Sequence, residues 1–119
     1  MLCVDVCGFT GYRPTKLPYK RNETHPDCIA LKAALRAEIA QLLHNGTRHF
    51  ICGGARGVDT FAEEIVLSFL PLYPDICLEI AVPHIGQEAK WRKEDRLRYH
   101  SLLERAQRIT YVQIQYTRN

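Results

Sequence analysis

His49-Phe50-Ile51-Cys52-Gly53-Gly54-Ala55-Arg56-Gly57-Val58-Asp59-Thr60 is a short apolar run that breaks into glycines and then opens a helical period. Glycine adopts positive φ without strain and lets a ligand approach bare backbone. The spacing after it predicts a helix over Thr60–Leu70, stopped by Pro71 and Pro74. A helix that starts here aims its unpaired N–H groups and the positive end of its dipole at the loop, which favours an anion. Arg56 would add a charge-assisted contact to phosphate. The glycines stand at 53, 54 and 57, so the segment is not G-x-G-x-x-G, and no G-K-[ST] follows. A plain strand-to-helix turn, N-capped by Asp59 or Thr60 with Thr60–Glu63 as a capping box, accounts for the same residues. The segment alone leaves both readings open.

On either side the chain alternates between two hydrophobic periods. Leu2–Phe9 reads as a strand, and a polar stretch with Gly11, Pro14, Pro18 and Pro26 reads as a long loop. Leu31, Leu35, Ile39 and Leu42 fall at helical spacing between Asp27 and His44, with Asn45-Gly46 as the stop. Ile76–Val82 is a third strand, Gln87–Ala106 a third and heavily charged helix, and Arg108–Ile114 a fourth strand. The order β-α-β-α-β-α-β implies parallel pairing through right-handed crossovers. The apolar strands fit a sheet covered on both faces. The expected fold is α/β, a Rossmann-like three-layer α/β/α sandwich with a mostly parallel sheet of about four strands, in one domain over residues 1–119.

Composition excludes several classes. The chain has 119 residues, 46% hydrophobic and 24% charged, enough for one domain with its own core and unlike a disordered tail. No stretch approaches the ~20 apolar residues that span a bilayer, and Asp5 interrupts the first apolar run, so neither a membrane anchor nor a signal peptide is expected and the expected location is cytoplasmic. The net charge of +3 lies wholly in residues 1–59, which favours a small anionic ligand over a long polyanion. The five cysteines, Cys3, Cys7, Cys28, Cys52 and Cys77, are odd in number and contain no C-x-x-C. They read as small hydrophobes, with no disulfide framework and no metal site.

In an open parallel sheet, ligands bind outside the carboxyl ends of the strands. Three loops of this sequence fall there: Gly8-Phe9-Thr10-Gly11-Tyr12-Arg13-Pro14, the glycine-rich segment from Gly53, and Pro83-His84-Ile85-Gly86-Gln87-Glu88. Thr10 and Arg13 beside two glycines suit a phosphate or ribose. Gly53, Gly54, Ala55, Arg56 and Gly57 would form the phosphate cradle. Asp59 and Glu63 would orient that loop or touch ribose, and Gln87 and Glu88 would close one side. Asp59, Glu63, Glu64 and Glu88 supply carboxylates, of which Glu63 and Glu88 are the candidates for acid or base work. Lys90, Arg92, Lys93, Arg96 and Arg98, mixed with Glu88, Glu94 and Asp95, read as a solvated face. Trp91, Tyr99, Leu102 and Ala106 recur near helical spacing, which favours the core for Trp91 over a stacking platform.

Gly8–Pro14, Gly53–Asp59 followed by Ala62-Glu63, and Gln87-Glu88 with Trp91, Asp95-Arg96 and Tyr99 together resemble the three motifs of the YpsA-like family of the SLOG superfamily, in order and across essentially the whole chain. Tyr12 stands where members commonly have histidine. The resemblance implies a Rossmann-like sheet that binds a nucleotide or nucleotide-derived ligand such as ADP-ribose, in a family of uncharacterised function. The glycine segment is also similar to that of DprA, a single-stranded-DNA-binding recombination mediator, while the P-G-G-x-G-T-x-x-E pattern of the LOG phosphoribohydrolases is absent. Three functions follow: a binding or sensing module, foremost; a hydrolase of an N-glycosidic or phosphate bond; and a DprA-like binder of single-stranded nucleic acid. Family members usually continue beyond the segment that ends here at Asn119, so the chain is expected to be a short member, with its last strand a pairing edge for a homo-oligomer.

Overall fold

The computed structural model describes residues 6–9, 21–83 and 85–112. In chain order it contains β1 (Val6–Phe9), α1 (Pro26–His44), β2 (His49–Cys52), α2 (Val58–Ser68), β3 (Cys77–Val82), α3 (Lys93–Arg105) and β4 (Arg108–Tyr111). The four strands form one sheet in the order β1-β2-β3-β4, and every neighbouring pair is parallel. Register pairs Phe9 with Cys52, Cys52 with Ile80, and Val82 with Tyr111. The expected α/β class, element order and parallel sheet are present. The expected extensions of the first and last strands, over 2–5 and 113–114, lie outside the described residues, as does Cys3.

Local chemistry sets the helix ends. Pro26 occupies the first turn of α1, where its missing N–H costs nothing. The N-cap is His25, whose ring Nδ1 accepts from the Asp27 N–H at 3.0 Å. After the last turn, Gly46 takes φ 103°, the left-handed value that ends a helix without steric penalty. The first turn of α2 differs from the expected capping box: its N-cap is Gly57, and no side chain caps it. Thr60 donates its hydroxyl to the Ala55 carbonyl at 3.1 Å instead. α3 is shorter than the expected helix from Gln87, because its N-cap is Arg92 and residues 86–91 form turns.

Side chains alternate across the strands, so the sheet has two faces of different character. Phe50, Cys52, Leu78, Ile80 and Val82 point one way and form a single buried cluster with Ile39 and Leu43 of α1, Ala62, Ile65, Val66 and Leu67 of α2, and Leu102 of α3. All three helices therefore pack on this face, with α2 in contact with both α1 and α3. Full burial of one such Leu, Ile or Phe side chain stabilises by about 1.5–3 kcal/mol. The other face carries His49, Ile51, Cys77, Glu79, Ala81, Arg108 and Thr110. Here His49 Nε2 and the Thr110 hydroxyl meet the two oxygens of Glu79 at 2.7 and 2.5 Å. Among the described residues, the layers are thus the sheet and one sheath of helices, where three layers were expected. Each strand adds on the same side of the one before it, so every right-handed crossover falls on one face. Cys28 and Cys52 are buried as expected of small hydrophobes, and Cys77, on the polar face, is half-buried. No described helix is long and apolar enough to cross a membrane.

Candidate functional site

The glycine-rich segment leaves the carboxyl end of β2 and enters α2. Gly54 and Gly57 have φ of 76° and 88°, values that side chains oppose. Gly54 also lies flush on its neighbours. A Cβ there would sit 3.2 Å from the Gln87 amide nitrogen, from Ile80 and from the Tyr99 ring, while one on Gly53 would sit 3.1 Å from Asp59 Oδ2. The bare backbone is thus required by packing under the loop as well as by its turn.

Side chains fix the loop from below. The Ala55 N–H donates to Asp59 Oδ2 at 3.3 Å, and the Gly54 N–H donates to the Glu63 carboxylate. Gln87 reaches across from the segment after β3, its amide donating to the Tyr99 hydroxyl at 3.2 Å and lying 3.5 Å from the Gly54 carbonyl. Asp59 and Glu63 are one helical turn apart and both buried, at 4% and 1% exposure. Burial pushes Asp59 up to about 6, against the Ala55 N–H. Burial also pushes Glu63 up to about 8, with the Asp59 charge adding and the Gly54 N–H opposing. Asp59 Oδ1 and Glu63 Oε2 have no hydrogen-bond partner among the described residues. Of the two roles expected of Asp59 and Glu63, these contacts are those of orienting the loop, from its underside.

On the outer side, Arg56, Gly57, Thr60 and Phe61 line a cleft of about 40 Å³ with Arg21, Glu23, Trp91, Asp95 and Arg98. Its arginines are held differently. Arg21 donates to Asp95, which keeps that carboxyl below its ordinary range. Arg98 is gripped by Glu64 and Glu23, each at 2.6 Å, and its guanidinium is held above its usual value. The same contact pulls Glu23 down to about 2, against its partial burial and with help from Lys32. Arg56 lies 3.7 Å from Asp95, beyond hydrogen-bond distance, with its guanidinium 5.1 Å from the centre of the Trp91 ring. Trp91 meets Tyr99 edge to face at 5.2 Å. Three guanidiniums and the amino end of α2 thus meet at the cleft with two lining carboxylates, Glu23 and Asp95, while Glu64 holds Arg98 from outside the lining.

The expected residues sort as follows. Gly53, Gly54, Ala55, Arg56, Gly57, Asp59, Glu63 and Gln87 come together around one loop, and Gly8 lies in β1 opposite Ile51. Thr10, Gly11, Arg13 and His84 lie outside the described residues. Glu88 pairs with His100 at 3.2 Å and does not line the cleft. Trp91, expected in the core, walls the cleft, because it precedes α3 and so escapes the helical phase that assigned it. Arg98 and Asp95, expected on a solvated face, also turn into the cleft. Arg21 and Glu23 carried no signal in the sequence: their partners are 74 and 75 residues away. Among the described residues, no group of three or more His, Cys, Asp or Glu side chains converges on a point that could hold a metal.

The family model described as the YspA SLOG family matches residues 7–119. A UPF0398 protein of Bacillus thuringiensis (strain Al Hakam) is 32% identical over 109 residues, which cover 92% of this chain and 59% of the relative. A UPF0398 protein of Bacillus cereus (strain B4264) is 31% identical over the same length and the same shares. The chain therefore spans less than two thirds of the length of these relatives. With its glycine segment, parallel sheet and this match over nearly all its length, the chain belongs to the YpsA family of SLOG proteins.

Proposed function

We propose that the chain binds a small phosphate-bearing ligand, a nucleotide or a derivative such as ADP-ribose, in the cleft at the amino end of α2. The observation that carries this reading is the uncapped start of α2 at Gly57, set in a cleft whose walls bear Arg21, Arg56 and Arg98. The first N–H groups of a helix have no partner within it, and a phosphate oxygen is a natural acceptor for them. Arg56 is the arginine with slack to reach such a ligand. Thermal unfolding in the presence of AMP, ADP-ribose and inorganic phosphate tests this. A ligand at a hundred times its Kd stabilises by ~2.7 kcal/mol. The Tm should rise with at least one of these ligands, and Arg56→Ala should lose most of that rise. No rise with any of the three, or an Arg56→Ala response equal to that of the parent, overturns the reading.

Hydrolysis of an N-glycosidic bond in that ligand is the second reading, favoured by one observation: burial leaves Glu63 protonated at neutral pH, as a general acid must be. Binding is placed first because Glu63 faces the loop's underside and does not line the cleft. Free base or nicotinamide appearing on long incubation with AMP or NAD, and lost in Glu63→Gln, would reverse that order. Single-stranded nucleic acid fits the site less well, since acids alternate with bases along α3.

A further inference from the structure

We propose that Trp91 is a stacking platform for a planar ring of the ligand, at the place over its indole that the Arg56 guanidinium takes in this structure. The inference deepens the phosphate-binding reading and rests on it. It narrows the ligand to a compound with a phosphate and an aromatic base on one small frame, a mononucleotide being the simplest.

Three observations converge. First, Trp91 and Gly57 line the same cleft, so the indole and the amino end of α2 face one ligand. Second, the guanidinium over the indole is the one in the cleft with no hydrogen bond to a carboxylate among the described residues. Arg21 and Arg98 are each hydrogen-bonded to a carboxylate, whereas Arg56 makes only the 3.7 Å ion pair with Asp95 among the described residues. A planar cation on an indole face occupies the position that a stacked base takes. Third, Trp91 is braced from its own side by the Tyr99 ring, and the backbone just before α3 is tied by Arg96, which donates to the Trp91 carbonyl at 2.9 Å. A braced ring loses little freedom when a base stacks on it.

The two events are coupled through Arg56. A phosphate at Gly57 competes with Asp95 for the guanidinium, and Asp95 releases it readily because Arg21 already satisfies that carboxylate. Movement of Arg56 towards phosphate bares the indole for the base. A ligand with phosphate but no base draws Arg56 away and gains nothing from the exposed ring.

Trp91 is the only tryptophan, so its fluorescence reports on this site alone. The experiment titrates the protein with AMP, GMP, CMP and UMP, and separately with ribose 5-phosphate, following both Trp91 emission and calorimetric Kd. At least one mononucleotide should quench the emission and bind about tenfold more tightly than ribose 5-phosphate, since base–aromatic stacking is worth ~1–3 kcal/mol. Trp91→Leu should remove that margin, while Trp91→Phe should keep part of it. Equal affinity for ribose 5-phosphate and all four mononucleotides, or a margin that survives in Trp91→Leu, overturns the platform and leaves the phosphate reading standing. Failure of every phosphate compound to bind overturns both.

Discussion

Glu63 shows how a residue's meaning changes once its surroundings are known. In the sequence it is a helix carboxylate four residues after Asp59, equally suited to solvent, a ligand or a cap. In the fold it is 1% exposed, accepts the Gly54 N–H and is pushed up to about 8. An acid whose value is raised by folding contributes most to stability below its unfolded value and loses that contribution as pH rises through the folded one. Glu63→Gln keeps an acceptor for the Gly54 N–H and removes the titration. The variant and the parent should therefore have similar Tm near pH 5, and the variant should be more stable by several degrees at pH 9, on the scale of ~4–8 °C per kcal/mol for a small domain. Thermal unfolding across that range checks it, and a Tm gap that does not change with pH would refute it.

At the scale of elements, the strand, glycine segment and helix from His49 to Ser68 act as one unit. Its strand and helix were legible because apolar spacing switches cleanly from the strand period to the helical one at the glycines. The cap was not legible, because Thr60 and Glu63 match a capping box while the side chains they present are drawn to Ala55 and Gly54. Tertiary hydrogen bonds win over local pattern there. The same holds for the cleft. Trp91, Tyr99 and Leu102 share a spacing that suggests one helix face, yet α3 begins only at Lys93, and pairs such as Arg21–Asp95 join residues 74 apart. No local pattern encodes such a pair. The two glycines at helix and loop boundaries allow a matched comparison. Gly46→Ala meets nothing within 4 Å and incurs only the left-handed backbone cost, ~1–2 kcal/mol. Gly54→Ala incurs that cost and in addition crowds Gln87, Ile80 and Tyr99 at 3.2 Å. Urea unfolding should place Gly54→Ala at least ~1 kcal/mol below Gly46→Ala, and equal losses would show that the loop is not held flush on α3.

Across the whole molecule, the sheet divides labour between its faces. The side with the helices holds the apolar core, and the other side is joined by Glu79, which bonds His49 of β2 and Thr110 of β4 from its place on β3. One buried carboxylate therefore ties three strands together. The Thr110 hydroxyl, opposed by burial and aided by His49, keeps Glu79 below its ordinary range. A lowered acid contributes stability above its unfolded value and loses it as pH falls through the folded one. Glu79→Gln should thus cost ~1–3 kcal/mol at neutral pH, with the difference closing as the solution is acidified. Denaturant melts at pH 7 and in the acid range check this, and a deficit that persists unchanged in acid would show that packing, not charge, is what Glu79 supplies. Strand order has a consequence for how the chain reaches this state. Each strand pairs with the strand before it in sequence, and every crossover helix spans only that gap. Each of these parallel pairings still closes a loop as long as its crossover, as from Phe9 to Cys52, so the sheet is built from non-local contacts of the kind that slow folding relative to a helical bundle.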